Sequence, residues 1–210
     1  MDAALRKDSP TKQRIRDTAR EMFNRLGYTN VTIAQLAQGI GMAEGNLWYH
    51  YKTKQDLVLA IQHDFGARCR TDFRATRRDD PIEAYAEFLK AWRGLLDDFK
   101  FLFVDSGSYG PFVADIDYDI RGGMGSTVRH GHKLLMALEQ AGHIVGTGVN
   151  LRDRAEQALV VLTFHFRWVA MSKTPDEAAG VTAAHAVEQH LTLLEGVVAE
   201  DALAAIRQGV

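Results

Sequence analysis

Apolar residues recur along this chain at three- and four-residue spacing, the pattern of amphipathic helices. Ile15, Ala19, Met22, Phe23 and Leu26 form the stripe of a first helix, about Thr11 to Leu26, which Gly27 stops. Thr32 can N-cap a second, short helix whose Ile33, Leu36, Ala37 and Ile40 fall at i, i+3, i+4 and i+7. Gly39 and Gly41 flank Ile40, where the chain must turn sharply. A third helix, about Ala43 to Tyr51, turns Leu47 and Tyr51 inward and leaves Glu44, Gly45, Asn46, Tyr49 and His50 facing out. A short, polar, aromatic-bearing helix after a tight turn is how a helix-turn-helix offers itself to the major groove.

Thr53 then caps a long helix from Lys54 to about Thr76, with Leu57, Ile61, Phe65, Arg68 and Phe73 along its inner side. Beyond Pro81 one wide apolar face runs through Ile82, Tyr85, Phe88, Leu89, Trp92, Leu95, Leu96 and Phe99. A short segment, Phe101 to Val104, leads into a loop punctuated by Gly107, Gly110 and Pro111. The next helix is expected from about Tyr118 or later to Ala141, with Gly122, Gly123 and Gly125 threatening a kink or a delayed start. After a second glycine-rich connector, Gly142 to Asn150, two further long helices are expected at Arg152 to Ser172 and Pro175 to Val198. Thr174 and Pro175 are the cap and first residue of the last one. Ala158 to Ala170 is apolar almost all round, which calls for cover on every side, and Leu191, Leu194, Val197 and Val198 make a matching stripe. A second subunit is the natural cover.

The first fifty residues resemble the DNA-binding domain of the TetR family of bacterial transcriptional regulators, over roughly Thr11 to Ile61. The parts that carry the likeness are the helix with Ile15, Ala19, Phe23 and Leu26, the Gly27-Tyr28 turn, and Thr32-Ile33. Leu36, Ala37, Gly41, Leu47, His50, Tyr51, Lys54 and Leu57 follow in order and spacing. Trp48 stands where the family usually has tyrosine, Tyr51 where it has phenylalanine, and Glu44 where a polar or basic residue is common. The resemblance implies an all-α chain in two parts: an N-terminal three-helix helix-turn-helix module at 1–56, and a larger helical ligand-binding and dimerisation domain at 57–210. It also implies pairing of the last two long helices with their mates in a four-helix interface.

Charge is divided along the chain. Residues 1–54 carry nine Lys/Arg and five Asp/Glu, a net of +4, so the remaining 156 carry −6 of the overall −2. A basic end joined to an acidic remainder fits a DNA-contacting module attached to something else. The single cysteine, Cys69, rules out an internal disulfide and fits a reducing compartment. No apolar run approaches the roughly 20 residues needed to span a bilayer, and the N-terminus is polar, so a cytoplasmic location is expected.

Candidate chemistry follows from these placements. Lys54, His50 and the backbone N–H groups after Thr32 are expected at phosphates, and Asn46 and Tyr49 at base edges, since an amide pairs bidentately with adenine. Ala43, Glu44 and Gly45 open the same helix; the Glu44 carboxylate would repel phosphate and favour a cytosine amino group. Trp48 is either a buried strut or an indole N–H laid on a phosphate. For the larger domain the resemblance implies an inducer pocket. The residues expected there are Phe88, Trp92, Phe101, Phe103, Tyr109, Phe112, Phe164 and Trp168, with His132 and His165 as orienting polar groups. The eight histidines fall at spacings that share no metal: His130 and His132 point about 200° apart on a helix. No metal, cofactor or enzymatic signature is expected. The expected partners are an operator in double-stranded DNA, a second copy of the chain and an apolar or aromatic small molecule. The rival readings are an architectural or partner-recruiting DNA-binding protein of the same fold without a small ligand, and an enzyme of the C-terminal half.

Overall fold

A computed structural model describes residues 9–76, 78–105, 113–174 and 180–210. Ten helices make up the described residues, with no β-sheet. Helix α1 (Pro10–Leu26) starts on Ser9, whose hydroxyl accepts from the Lys12 N–H, and on Pro10, which has no N–H to leave unsatisfied. Helix α2 (Ile33–Ile40) opens on a capping box between Thr32 and Gln35. It ends at Gly41, whose φ of 73° places it in the left-handed region that closes helices. Helix α3 (Glu44–His50) follows after three residues, Gly41 to Ala43. Its Leu47 is buried, and Tyr51, also buried, closes the far end.

Helix α4 (Lys54–Ala75) begins on a second capping box, Thr53 with Asp56. Its 22 residues span about 33 Å at 1.5 Å per residue, long enough to run from the DNA module to the centre of the larger part. Leu57, Val58 and Ile61 are buried near its start, and Phe73 packs at 5.3 Å from Phe88 and 5.7 Å from Trp92 near its end. Arg68, expected on the inner side, instead lies at the surface in ion pairs with Asp72 and Asp98. A guanidinium has no reason to enter a core when two carboxylates wait outside it.

Helix α5 (Pro81–Asp98) is the central post, with Tyr85, Phe88, Leu89, Trp92, Leu95 and Leu96 buried. Short α6 (Lys100–Val104) turns its Phe101 under α1. Helix α7 (Val113–Gln140) starts five residues before the expected Tyr118 and runs unbroken through Gly122, Gly123 and Gly125. Glycine weakens a helix by about 1 kcal/mol per residue but does not forbid one, and 28 residues carry that cost. Helix α8 (Leu151–Ser172), capped by Asn150, matches its expected span.

The expected last helix is corrected. Its start, 175–179, lies outside the described residues, and the chain beyond forms two helices, α9 (Ala183–Thr192) and α10 (Glu200–Gly209). Between them Gly196 adopts a φ of 73°. The Ala199 N–H donates to the His143 carbonyl at 2.8 Å, and the Val145 N–H donates to the Val197 carbonyl at 2.9 Å. The glycine-rich connector before α8 therefore clasps the break, and α10 folds back so that Ala202, Leu203 and Ile206 are buried. Leu194, expected on a partner-facing seam, is completely buried within its own chain. No helix among the described residues is long and apolar enough to cross a membrane.

Candidate nucleic-acid interface and interior cavity

Helix α3 stands out from the module because Leu47 anchors one side and, among the described residues, nothing covers the other. Glu44, Gly45 and Asn46 are exposed, Tyr49 is 78% exposed and Trp48 39%. Trp48 is therefore a surface residue and not a buried strut. A Cβ built on Gly45 would meet no atom of the described residues within 4 Å, so those residues do not demand glycine there. Ala43 provides no side-chain cap, which leaves the first N–H groups of α3 open to an outside acceptor. His50, half-buried, meets Tyr49 edge-on at 5.4 Å.

Thr32 and Lys54 are engaged more deeply than expected. The Thr32 hydroxyl accepts from the Gln35 N–H at 3.2 Å, and the Gln35 side chain accepts from the Thr32 N–H at 2.8 Å. The Lys54 ammonium donates to the carbonyls of Tyr28 and Val31 and sits 4.1 Å from the Tyr28 ring centre. Burial lowers its pKa, a shift that the Asp105 charge opposes. Lys54 thus braces the turn between α1 and α2, with two of its three donors directed inward.

The module is locked to the rest of the chain at two places. In the first, Arg16 of α1, 4% exposed, donates through Nη1 to the Tyr51 hydroxyl at 3.1 Å and through Nε to Asp64 of α4 at 2.5 Å. In the second, the Asn24 amide donates to the Asp98 carbonyl at 2.8 Å while its oxygen accepts from the Phe101 N–H at 3.0 Å. The Tyr28 N–H adds a bond to Asp105 at 2.8 Å, and Phe23 packs on Phe101 at 5.1 Å.

Between α5, α7, α8 and α9 lies a cavity of about 10 Å³. That is room for a single water molecule. Apolar walls come from Phe88, Ala155, Ala158, Leu159 and Leu162, with Gly131 on the α7 side. Its polar feature is Tyr85, whose hydroxyl lies 2.9 Å from His190 Nε2, with Thr127 nearby. His190 Nδ1 lies 3.3 Å from the Ala158 carbonyl, an acceptor only, so Nδ1 carries the proton and Nε2 accepts from Tyr85. Complete burial holds His190 down at about 4, against a smaller opposing effect of the Ala158 carbonyl, and raises Tyr85, so both are neutral. Beside the cavity, His130 stacks on Phe73 at 5.7 Å and its Nε2 lies 3.2 Å from the Thr76 hydroxyl.

Of the residues expected to line a pocket, Phe88 does so. Trp92 is buried one turn away, its indole Nε1 without a hydrogen-bond partner among the described residues. Phe101 belongs instead to the seam with α1, and Phe103 packs on Phe65 at 5.7 Å. Tyr109 and Phe112 lie outside the described residues. His132 is half-buried, off the cavity, and His165 has a buried Nε2 with no partner among the described residues. Phe164 and Trp168 lie away from this cavity, 56% and 68% exposed on the outside of α8. Sequence reasoning missed Tyr85, Thr127, Gly131 and His190 as lining residues. His190 had a usable signal, since it falls beside Leu191 and Leu194 on an apolar stripe, where a histidine needs buried partners.

Comparison with known proteins bears on both parts. Residues 15–61 match the family described as bacterial regulatory proteins, tetR family, and residues 64–206 match a family described as bacterial transcriptional repressor. A helix-turn-helix-type transcriptional regulator of Staphylococcus aureus is 32% identical over 77 residues, 36% of this chain and 41% of that protein. The chain thus aligns with less than half the length of that relative. A TetR-family regulator from Marinobacter aquaeolei superimposes with a TM-score of 0.78 at 19% identity, covering 96% of this chain and 99% of that one. AibR, solved with isovaleryl coenzyme A and operator DNA, gives 0.60 at 16% identity, covering 88% and 97%. At these identities the superpositions show a shared fold.

Proposed function

Because this chain belongs to the TetR family of bacterial transcriptional regulators, we propose that it is a homodimeric repressor that leaves a palindromic operator when a small molecule enters its larger domain. Residues 1–56 read the DNA and residues 57–210 dimerise and take the ligand. The observation that carries the DNA-binding reading is α3: one side anchored by buried Leu47, the other an uncovered row of Asn46, Tyr49 and Trp48. Asn46 and Tyr49 reach base edges, while His50 and the open N–H groups of α3 hold phosphates. The relatives are regulators, and the chain is not an enzyme.

A dimer is supported by α8. Val160, Phe164, Trp168 and Met171 are 50–74% exposed at i, i+4, i+8 and i+11, one apolar stripe that water covers in the single chain. Burying a large side chain of this kind contributes about 1.5–3 kcal/mol, so covering the stripe favours association. Pairing two copies there sets the spacing of the two α3 helices, which must be about 34 Å to meet successive major grooves.

Release follows from connectivity. The cavity is too small for a ligand as it stands, so occupancy must push its walls apart. Phe73, near the end of α4, packs on Phe88, which lines the cavity, and the start of α4 abuts α3. A ligand that prefers the opened state lowers the DNA-competent population by its differential affinity, about 2.7 kcal/mol for a hundredfold shift. AibR, with both a coenzyme A thioester and operator DNA in its structure, supports this plan for a chain of the same fold. The test is fluorescence anisotropy with DNA flanking this gene: wild type binds a palindrome in it tightly, and Tyr49→Ala does not. Equal binding of both proteins to any duplex would favour an architectural role.

A further inference from the structure

We propose that the cavity between α5, α7, α8 and α9 takes an uncharged, mainly apolar ligand bearing a hydroxyl group, that Tyr85 receives that hydroxyl, and that Gly131 is small in order to admit it. This rests on the ligand-release reading above and adds the chemical class of the ligand.

The first argument is the polar pair. Tyr85 gives its proton to His190 Nε2, and His190 gives its own to the Ala158 carbonyl. The lone pairs of the Tyr85 oxygen then remain to accept a bond, so the complementary group is a donor such as an alcohol or phenol O–H. Neither Lys nor Arg lines the cavity among the described residues, and burial keeps His190 neutral. A carboxylate or phosphate placed there would lose its hydration with no charge to meet it. Walls of Phe88, Leu159 and Leu162 favour an apolar or aromatic body. Tyr85, Phe88 and Trp92 lie at i, i+3 and i+7 on α5, and the Trp92 indole N–H is buried without an acceptor among the described residues. An oxygen at the far end of a ligand lying along this face would satisfy it.

The second argument is Gly131. It lies inside α7 with no positive φ, so backbone freedom is not the reason for glycine. A Cβ there would stand 3.7 Å from the Ala155 Cβ and 4.0 Å from the Phe88 ring, ordinary contact distances. Alanine would fit, and would favour the helix. What glycine preserves is the space beside Phe88, which a methyl group would fill.

The test uses purified full-length protein with phenol and naphthol, against benzoate and naphthoate, the same rings carrying a carboxylate. Thermal shift and quenching of tryptophan fluorescence report binding. The expected result is a response to phenol and naphthol and none to the acids. Gly131→Ala should melt higher than wild type without ligand yet bind naphthol about tenfold more weakly. Tyr85→Phe should lose about fivefold for naphthol and nothing for methoxynaphthalene, which has no proton to donate. A Tyr85→Phe protein that merely folded poorly would lose both. Preference for the acids, undiminished naphthol binding by Gly131→Ala, or no response to any phenol would overturn the assignment. Naphthol that binds as expected but leaves operator DNA bound would sink the release reading and leave this site standing. Release by the acids alone would do the reverse.

Discussion

The Tyr51 hydroxyl lies 3.1 Å from Arg16 Nη1 in the interior of the DNA-binding module, and the same guanidinium reaches Asp64 at 2.5 Å. The residue that closes the third helix is therefore tied through one side chain to the first helix and the fourth. Tyr51→Phe keeps the ring and removes the acceptor. It should cost about 1–2 kcal/mol in chemical denaturation, because a buried N–H of a charged group loses its partner. An unchanged midpoint would mean that the hydroxyl is a passenger.

Lys54 braces the turn before α2 through the Tyr28 and Val31 carbonyls. Lys54→Ala should lower stability by about 1–3 kcal/mol, by orphaning those carbonyls, and should weaken all DNA binding. If its third donor meets a phosphate, the salt slope falls by about one unit; an unchanged slope with the same stability loss confines Lys54 to bracing.

At α3, Asn46→Ala and Tyr49→Ala should each cost about 1–3 kcal/mol on the operator and relax preference at one or two base pairs. Equal losses on operator and random duplex would assign these residues to the DNA backbone instead.

Phe164→Glu with Trp168→Glu should give folded monomers in sedimentation and lose tight operator binding, since the substitutions fall on the exposed stripe of α8. Leu194→Glu should instead unfold the chain, being completely buried. A double mutant that sediments as a dimer would move the interface off α8.

His190 makes stability depend on pH. Its folded pKa of about 4 lies below the unfolded value near 6.5, so the unfolded chain binds the proton first. Its contribution is complete above pH 6.5, is lost as pH falls from there to about 4, and levels off below. The loss is about 3 kcal/mol at most. His165, also lowered chiefly by burial, adds a smaller slope of the same sign. His190→Gln should flatten the curve between those limits. A wild-type profile already flat from pH 7 to 4 would contradict this burial.

The N-terminal helices were legible to within a residue or two because each local signal agreed with the next: caps at Thr32 and Thr53, a left-handed glycine at 41, and short-range apolar spacing. The end of the chain was not, because what breaks the helix near Gly196 is a clasp with His143 and Val145, some fifty residues away in sequence. Lining residues failed for a related reason. Aromatic content marked Phe164 and Trp168, but a ring on α8 points into the chain or out of it according to the crossing of its neighbours. The cavity was betrayed by smaller signs, a histidine in a leucine stripe and a glycine inside a helix.

Asn24 bears on how motion can reach the DNA. Together with Arg16 it attaches α1 at two points, near its C-terminal end to the corner of α5 and α6 and near its middle to α4. A body held at one point swings like a door; held at two, it tilts with whatever carries both mounts. A displacement of α4 alone would have to stretch the Asn24 mount, so α4 and the α5–α6 corner must shift together. The whole module then turns as one piece, and α3, tied to the Arg16 mount through Tyr51, is carried with it.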